Sequence, residues 1–333
     1  MNPMVRQGND KIFGIDEENF EPLALEVFHY QYAENRVYRD YVNALKVNAQ
    51  EVRQLAEIPF LPIRFFKSHR VVSGSFEPEA IFESSGTTGM VNSRHEVKDL
   101  HLYTKSFSMG FDKAYGNVKD YCILGLLPSY LERSNSSLVH MVDWLIKHSG
   151  SRESGFYLND RQSLASLLVE LEMKAQKTLL IGVSFALLDF AAEFPLALNN
   201  TIIMETGGMK GRRKEMVREE MHEELKRAFK VTNIHSEYGM TELLSQAYSK
   251  GEGLFTTPPW MRILIRDESD PLAVIAHTSR PQAGAINIID LANVDSCSFI
   301  ATDDAGRLHP GGKFEVMGRL DGSDLRGCSL LVV

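Results

Sequence analysis

The sequence has 333 residues, of which 44% are hydrophobic and 24% are charged, as in folded proteins that can bury a large core. Its 36 basic and 44 acidic residues give a formal net charge of −8, which argues against broad binding of nucleic acid or of anionic membranes. No apolar stretch typical of a signal peptide follows the N-terminus, and the most apolar window, Thr178–Leu198, is interrupted by Asp189, Glu193 and Pro195. The three cysteines lie far apart without metal-site spacing, so we predict a cytoplasmic protein with no membrane span.

The first segment, residues 1–56, is predicted to be helical. Apolar residues recur at helical spacing between Glu17 and Leu45. Pro59 and Pro62 then interrupt the pattern, and they predict an extended or loop segment over residues 58–66.

Residues 57–253 are predicted to form an α/β core, because strand and helix patterns alternate as in a mostly parallel, doubly wound sheet. The predicted strands are Ala80–Glu83, Tyr121–Leu127, Thr178–Val183, Thr201–Glu205 and Val231–Glu237. The predicted helices are Lys98–Tyr115, Ser137–His148, Arg161–Gln176, Phe185–Glu193 and Arg213–Phe229.

Residues 254–333 are predicted to form a β-rich subdomain that packs on the α/β core and ends in a short tail with Cys328. Short strand patterns follow one another there, separated by turn signals at residues 303–306 and 310–312. The predicted strands are Met261–Arg266, Leu272–His277, Ala285–Asp290, Ser298–Thr302 and Phe314–Met317.

The first chemical motif is a strand that runs into a loop of small hydroxyl residues and glycines. The loop is Ser84-Ser85-Gly86-Thr87-Thr88-Gly89. Glycines let backbone N–H groups converge on an anion, and hydroxyl side chains add donors, so the loop suits the phosphates of ATP. No Gly-Lys-Ser/Thr closes it, so it is not a Walker A loop. By itself the hexapeptide is equally compatible with a Ser/Thr-rich turn.

The second motif, Tyr238-Gly239-Met240-Thr241-Glu242, follows the last predicted strand of the α/β core. Together the two motifs resemble the adenylate-forming superfamily of acyl-CoA synthetases, luciferases and peptide-synthetase adenylation domains. The resemblance implies that the first loop holds phosphates, that Thr241 contacts phosphate, that Glu242 binds Mg²⁺ and that Tyr238 lies against adenine. Without the first motif, Glu242 would be interpreted as a residue of a surface helix.

Three further segments resemble the superfamily. Asp303 matches the aspartate that binds both ribose hydroxyls, and Arg319 matches the hinge arginine that touches the nucleotide. Gly207-Gly208 matches the segment that lines the adenine pocket. A plain turn is the alternative for Asp303 and for the two glycines. The lysine that usually follows the first loop is absent, and Arg94 is the candidate that supplies its charge.

The resemblance narrows to the acyl-protein synthetase (LuxE) family in three runs, which are IPFLPIRFFK from Ile58, FESSGTTG from Phe82 and GRLDGSDLRGCSL from Gly318. It implies that the protein activates a fatty acid with ATP and Mg²⁺. It also implies that the acyl group moves to the enzyme's own Cys328 and then to a partner reductase.

The superfamily normally continues past the hinge into a small mobile lid, whereas this sequence ends at Val333, 12 residues after Asp321. We therefore expect no lid domain and no lid lysine. Cys328 lies seven residues after Asp321, and seven extended residues span at most about 25 Å, so a tail could carry the thiol to an acyl-adenylate. The alternative for Cys328 is an inert thiol on a packed last strand.

Two other functions stay open. An acyl-CoA ligase would use free coenzyme A as the acceptor, and Cys328 would then be incidental. A non-catalytic nucleotide- or acyl-binding protein would need no acceptor. An acceptor cysteine needs a lowered pKa or a base, for which Arg319 and Arg326 are candidate cations and His140 and His235 candidate bases.

Overall fold

The computed structural model describes residues 10–84, 91–127, 135–157, 159–207, 216–268, 270, 272–275 and 279–320. These residues have the α/β fold class predicted from the sequence, and their contacts divide into two compact units. Unit 1 contains the described chain up to Phe107, Met240–Gln246 and the described chain from Thr256 onward. Unit 2 contains Ser108–Gly239 and Ala247–Phe255 within the described ranges. The segments 1–56, 57–253 and 254–333 stay a prediction of domain organisation.

The helices and strands are numbered here in chain order. The helices are α1 Glu17–Glu34, α2 Arg36–Ala44, α3 Phe65–Ser68, α4 Leu100–Tyr115, α5 Ser137–His148, α6 Arg161–Met173, α7 Ser184–Glu193 and α8 Arg218–Phe229. The strands are β1 Leu61–Pro62, β2 Ala80–Glu83, β3 Arg94–Val97, β4 Cys122–Leu126, β5 Gly155–Phe156, β6 Thr178–Gly182, β7 Thr201–Glu205, β8 His235–Tyr238, β9 Ala247–Ser249, β10 Phe255–Thr256, β11 Met261–Arg266, β12 Gln282–Asp290, β13 Phe299–Leu308 and β14 Phe314–Arg319. None of the described helices combines the length and the apolar character that a bilayer crossing requires.

The helical N-terminal region is interrupted at Asn35, whereas the apolar pattern of the sequence predicts helical structure without a break there. Asn35 has extended backbone angles and caps α2 by accepting the Tyr38 N–H at 3.0 Å. Its amide also donates to the Ser296 carbonyl at 2.9 Å. A buried asparagine with these partners ends one helix and begins the next, which the apolar spacing alone does not reveal.

In unit 1, β11, β12, β13 and β14 form an antiparallel sheet, and β1 pairs with β13 in parallel. The turn predicted at residues 303–306 is wrong, because β13 continues through it to Leu308. The neighbouring strands approach β13 closely at Gly306. A Cβ added there would lie 2.5 Å from Ile286 Cδ1 and 2.6 Å from the Glu315 carbonyl. Glycine is therefore required there by close backbone approach and not by a turn.

Other unit 1 predictions also need correction. The strand predicted at Leu272–His277 is wrong for its described part, where Val274 makes only an isolated bridge to Arg266. The segment predicted as extended or loop over residues 58–66 contains the short strand β1, which is extended, but its end also contains the start of α3. Arg94 begins β3, which was not predicted, and β3 pairs with β2 as a separate hairpin.

In unit 2, the strand order is β9-β8-β7-β6-β4-β5, parallel throughout except for β9. Every residue of β4 and β6 is buried, which explains their uninterrupted apolar sequences. The strand predicted from Val231 begins only at His235, and the helix predicted from Arg213, which lies outside the described residues, begins at Arg218. The other predicted strands and helices of this region agree with the structure to within a few residues. Because β7 and β8 are parallel, the residues that follow them lie near each other, at the carboxyl ends of the two strands.

Candidate functional site

The hairpin of β2 and β3 holds the base of the first motif. Ser84 donates its N–H to the Ser93 carbonyl at 3.1 Å, and its hydroxyl accepts from the Ser93 N–H at 2.9 Å. Arg94 lies opposite Glu83, with 3.5 Å between its Nε and the carboxylate. The rest of the motif, Ser85–Gly89, lies outside the described residues. The structure thus describes the strand that leads into the motif and the strand β3 that follows it.

The pair Thr241 and Glu242 is held in unit 1 by two buried side chains. The His95 Nδ1 lies 2.8 Å from the Thr241 carbonyl. The Asn293 amide donates to the Glu242 carbonyl at 2.7 Å. Glu242 is 1% exposed, so it is a core residue and not part of a surface helix. The backbone of the predicted phosphate- and metal-binding residues is therefore fixed from two sides.

His95 is neutral at neutral pH in this position. Burial lowers the pKa of its imidazole, although the hydrogen bond to Thr241 and the nearby charge of Glu242 act in the opposite direction. A carbonyl oxygen can only accept, so the proton of the neutral ring lies on Nδ1, where it donates to Thr241.

Thr241 and Glu242 have the donor chemistry that a magnesium ion and phosphates require. Mg²⁺ prefers oxygen ligands and is commonly bound by one or two carboxylates together with substrate phosphates and water. One buried carboxylate beside one hydroxyl fits that set. No group of three or more His, Cys, Asp or Glu side chains suited to a metal occurs among the described residues, so a cage made only of protein ligands is not found there.

Asp303 and Arg319 are brought together by the antiparallel pairing of β13 and β14. Arg319 Nη2 donates to Asp303 Oδ2 at 3.2 Å, and Arg64 Nη2 lies 3.9 Å from Oδ1. Arg266 donates to the Thr302 carbonyl at 2.7 Å from within the core. A carboxylate surrounded by arginines can accept from hydroxyl groups while its neighbours attract phosphate. Arg64 and Arg266 are members of this cluster that sequence reasoning missed.

Tyr238 and Gly207 belong to unit 2. The Tyr238 ring is 9% exposed, and its centroid lies 5.9 Å from that of Phe255. Gly207 has a φ of 76°, and its N–H donates to Glu205 Oε2 at 2.6 Å. Its carbonyl accepts from the Ser184 N–H at 3.0 Å. Gly208 lies outside the described residues. Gly207 therefore follows β7 with a positive φ that glycine adopts readily, and its N–H is held by a buried carboxylate.

Glu205 is a buried anion that sequence reasoning missed. Its Oε1 lies 3.7 Å from Arg218 Nε and 3.6 Å from His222 Nε2. Burial alone would raise the pKa of Glu205, but His222, Arg218 and the Ser236 hydroxyl together lower it to about 2. Burial and the charge of Glu205 raise the pKa of Glu237 to about 8. Two carboxylates at the ends of β7 and β8 thus differ in protonation.

Replacing Glu205 with Gln is expected to lower the free energy of unfolding by about 3 kcal/mol at pH 7, because the folded-state pKa of about 2 lies below the ordinary 4.5. This contribution is complete above pH 4.5 and is lost as pH falls towards 2. Urea unfolding at several pH values should therefore show a difference from wild type that shrinks with acidification. Glu193→Gln, at an ion-paired side chain that is 53% exposed, should change stability by less than about 1 kcal/mol. A Glu205→Gln difference that does not vary with pH would contradict this assignment.

The described cysteines are both poor nucleophiles. Cys122 and Cys297 are fully buried, and burial raises the pKa of both thiols, that of Cys297 to about 12. A thiol reacts as the thiolate, so neither is suited to accept an acyl group. Cys328 lies outside the described residues. Of the candidate bases, His235 has a pKa lowered to about 4, chiefly by burial and then by Lys250.

The site residues that the sequence analysis did not predict differ in whether a local sequence signal could have identified them. Glu205 lies two residues before Gly207 and could have been noticed there. His95, Asn293 and Arg64 have no sequence signal of this kind, because each is far along the chain from the residue that it contacts.

The family model described as acyl-protein synthetase, LuxE, matches residues 14–333. No curated protein matches the sequence. Among solved structures, o-succinylbenzoate coenzyme A synthetase (MenE) from Bacillus subtilis, bound with a product analogue, gives a TM-score of 0.50 at 18% identity. That match covers 74% of this chain and 50% of the other, and it shows a shared fold.

Two further structures show weaker similarity. MenE from the same organism, in complex with ATP and a magnesium ion, has a TM-score of 0.46 and 18% identity over 72% of this chain and 49% of that one. A long-chain-fatty-acid-CoA ligase from Archaeoglobus fulgidus has a TM-score of 0.49 and 14% identity, over 72% and 51% of the two chains. The chain spans about half the length of the solved proteins that it matches.

Proposed function

Because the chain belongs to the acyl-protein synthetase (LuxE) family, we propose that it is an adenylate-forming ligase that activates a long-chain fatty acid with ATP. The acyl group then moves to Cys328 as a thioester and is delivered to a partner reductase. The observation that supports the first step best is the pair of half-buried Thr241 and buried Glu242, which His95 and Asn293 hold through the backbone. The Asp303–Arg319 pair supports nucleotide binding in the same unit.

In the first half-reaction, a carboxylate oxygen of the fatty acid attacks the α-phosphorus of ATP. The bond to pyrophosphate breaks, and pyrophosphate leaves with its electron pair. Mg²⁺, when bound, offsets the charge of the triphosphate. In this proposal Glu242 holds the metal, Thr241 and the 84–89 loop orient the phosphates, and Asp303 accepts from the ribose hydroxyls. The other residues proposed to contact the nucleotide are Arg94, Gly207, Gly208, Tyr238, Gly239, Met240 and Arg319. Positioning and charge are sufficient for such a step, without a covalent protein group.

In the second half-reaction, the Cys328 thiolate attacks the acyl carbonyl and AMP leaves. The thiol proton must pass to a base, and a pKa of about 4 makes the His235 ring too weak a base for this role. The burial of Cys122 and Cys297 supports Cys328 as the acceptor, because the other two thiols stay protonated.

Exchange of radiolabelled pyrophosphate into ATP tests the first half-reaction directly. The wild-type protein is expected to catalyse exchange only when both a fatty acid and Mg²⁺ are present. Chain lengths from acetate to palmitate should be compared, because an apolar acyl site favours the longer acids. No exchange with any acid would refute the proposal and would favour a non-catalytic nucleotide- or acyl-binding protein.

A further inference from the structure

The segment Thr241–Ser245 is held at its C-terminal end by one buried carboxylate. Asp290 Oδ2 accepts from the Leu244 N–H at 2.8 Å and from the Ser245 N–H at 3.0 Å. Its Oδ1 accepts from the Ser245 hydroxyl at 2.6 Å and from the Ala292 N–H at 3.2 Å. Asp290 is fully buried. Four donors compensate a charge that would otherwise be costly to bury, so the segment and the carboxylate depend on each other.

The N-terminal end of the segment is held from the same corner of unit 1. Asp290 ends β12, and Asn293 follows in the short helical turn Leu291–Asn293. Asn293 donates to the Glu242 carbonyl and, at 2.9 Å, to the Cys297 carbonyl. With His95 on the Thr241 carbonyl, three buried side chains therefore bind the backbone on both sides of the Glu242 side chain.

A tryptophan shares this arrangement. Trp260 is fully buried, and its Nε1 donates to the Ser245 hydroxyl at 3.0 Å and to the Ser106 hydroxyl at 3.1 Å. The sequence contains only one other tryptophan, Trp144, which belongs to unit 2. A displacement of Ser245 changes the polar contact of the Trp260 indole, so its emission reports on the segment.

We propose that Asp290, Asn293 and His95 are positioning residues that hold Thr241 and Glu242 in the geometry needed for a magnesium-bound nucleotide, and that Trp260 reports this geometry. The inference rests on the proposed function, because it assigns Glu242 to the metal. The position of the Thr241 and Glu242 backbone affects the rate, because a displacement of about 1 Å in a reacting group can lower a rate by about 10²-fold. Asp290 and Asn293, which belong to neither sequence motif, restrain the backbone of the Thr241–Ser245 segment.

The test uses the full chain with Trp144→Phe, so that all tryptophan emission comes from Trp260. ATP is held constant, Mg²⁺ is titrated, and emission is recorded without fatty acid, with pyrophosphate exchange measured separately. Asn293→Ala is expected to raise the half-saturating Mg²⁺ concentration about tenfold in both measurements, because it removes the hydrogen bond that holds the Glu242 carbonyl. Asp290→Asn, which keeps one acceptor oxygen, should come closer to wild type than Asp290→Ala does.

Asn35→Ala is the matched control. Asn35 is also a fully buried asparagine with two backbone partners in unit 1, but it contacts Tyr38 and Ser296 and not the segment. It should lose thermal stability comparable to that lost by Asn293→Ala, with an unchanged Mg²⁺ requirement. If Asn293→Ala does not fold, Ser245→Ala takes its place and is judged by the Mg²⁺ dependence of pyrophosphate exchange alone, because the hydroxyl that it removes is also the partner of Trp260.

The outcomes separate the two claims. An unchanged Mg²⁺ requirement in the variants, beside an active wild type, refutes the positioning inference and leaves the proposed function intact. An equal rise in Asn35→Ala also refutes it, since the effect would then follow stability alone. A wild type that neither exchanges pyrophosphate nor responds in emission refutes the proposed function, and this inference with it.

Discussion

Glu242→Gln is expected to lower fatty-acid-dependent pyrophosphate exchange by about 10²- to 10³-fold, the size of effect seen when one group that stabilises developing charge is lost. Glutamine keeps the size of the side chain but removes the negative charge that a metal requires. Glu242 is 1% exposed and its backbone is held by Asn293, so another carboxylate cannot easily move into its position and bind the metal. Exchange rates should be measured across Mg²⁺ concentrations to separate metal affinity from turnover.

Glu315→Gln is the matched carboxylate control in unit 1. Glu315 pairs on the surface of β14 with His309 and Arg307, at 2.7 and 3.3 Å, and makes no contact with the Thr241–Ser245 segment in the described structure. Its loss should change stability by less than about 1 kcal/mol and leave exchange unchanged. A Glu242→Gln protein that exchanges at the wild-type rate, with the wild-type Mg²⁺ dependence, would refute the assignment of Glu242 to the metal.

Cys328→Ser is expected to abolish stable self-acylation while leaving pyrophosphate exchange within about twofold of wild type. Exchange reports only the first half-reaction, which in this proposal involves no thiol. The protein is incubated with radiolabelled fatty acid, ATP and Mg²⁺, and the label retained after denaturation is counted. Release of that label by neutral hydroxylamine identifies a thioester.

Two controls make the cysteine experiment specific. Cys122→Ala and Cys297→Ala should keep full labelling, because burial raises the pKa of both thiols and leaves them protonated. Label that persists in Cys328→Ser but disappears in either control would assign the acceptor elsewhere. Formation of acyl-coenzyme A at equal rates in wild type and Cys328→Ser, without labelled protein, would instead establish the coenzyme A ligase alternative.

The predicted elements were most accurate where local sequence decides the structure. β4 and β6 are largely apolar runs buried on both faces, so their positions follow from composition. Predictions failed where a distant partner decides. Residues 303–306 have favourable turn chemistry, yet pairing with both β12 and β14 makes them a strand. The break at Asn35 likewise depends on Ser296, which is remote in the sequence.

By itself the sequence determined the α/β class, the order of the motifs and the resemblance to the acyl-protein synthetase family, because these depend on residue type and local spacing. Only the tertiary structure decided which groups meet. It brought Arg319 and Arg64 to Asp303, and it placed His95 and Asn293 on the backbone beside Glu242. Such contacts arise from strand register and from the need to pair every buried polar group, and neither is encoded within a short window of sequence.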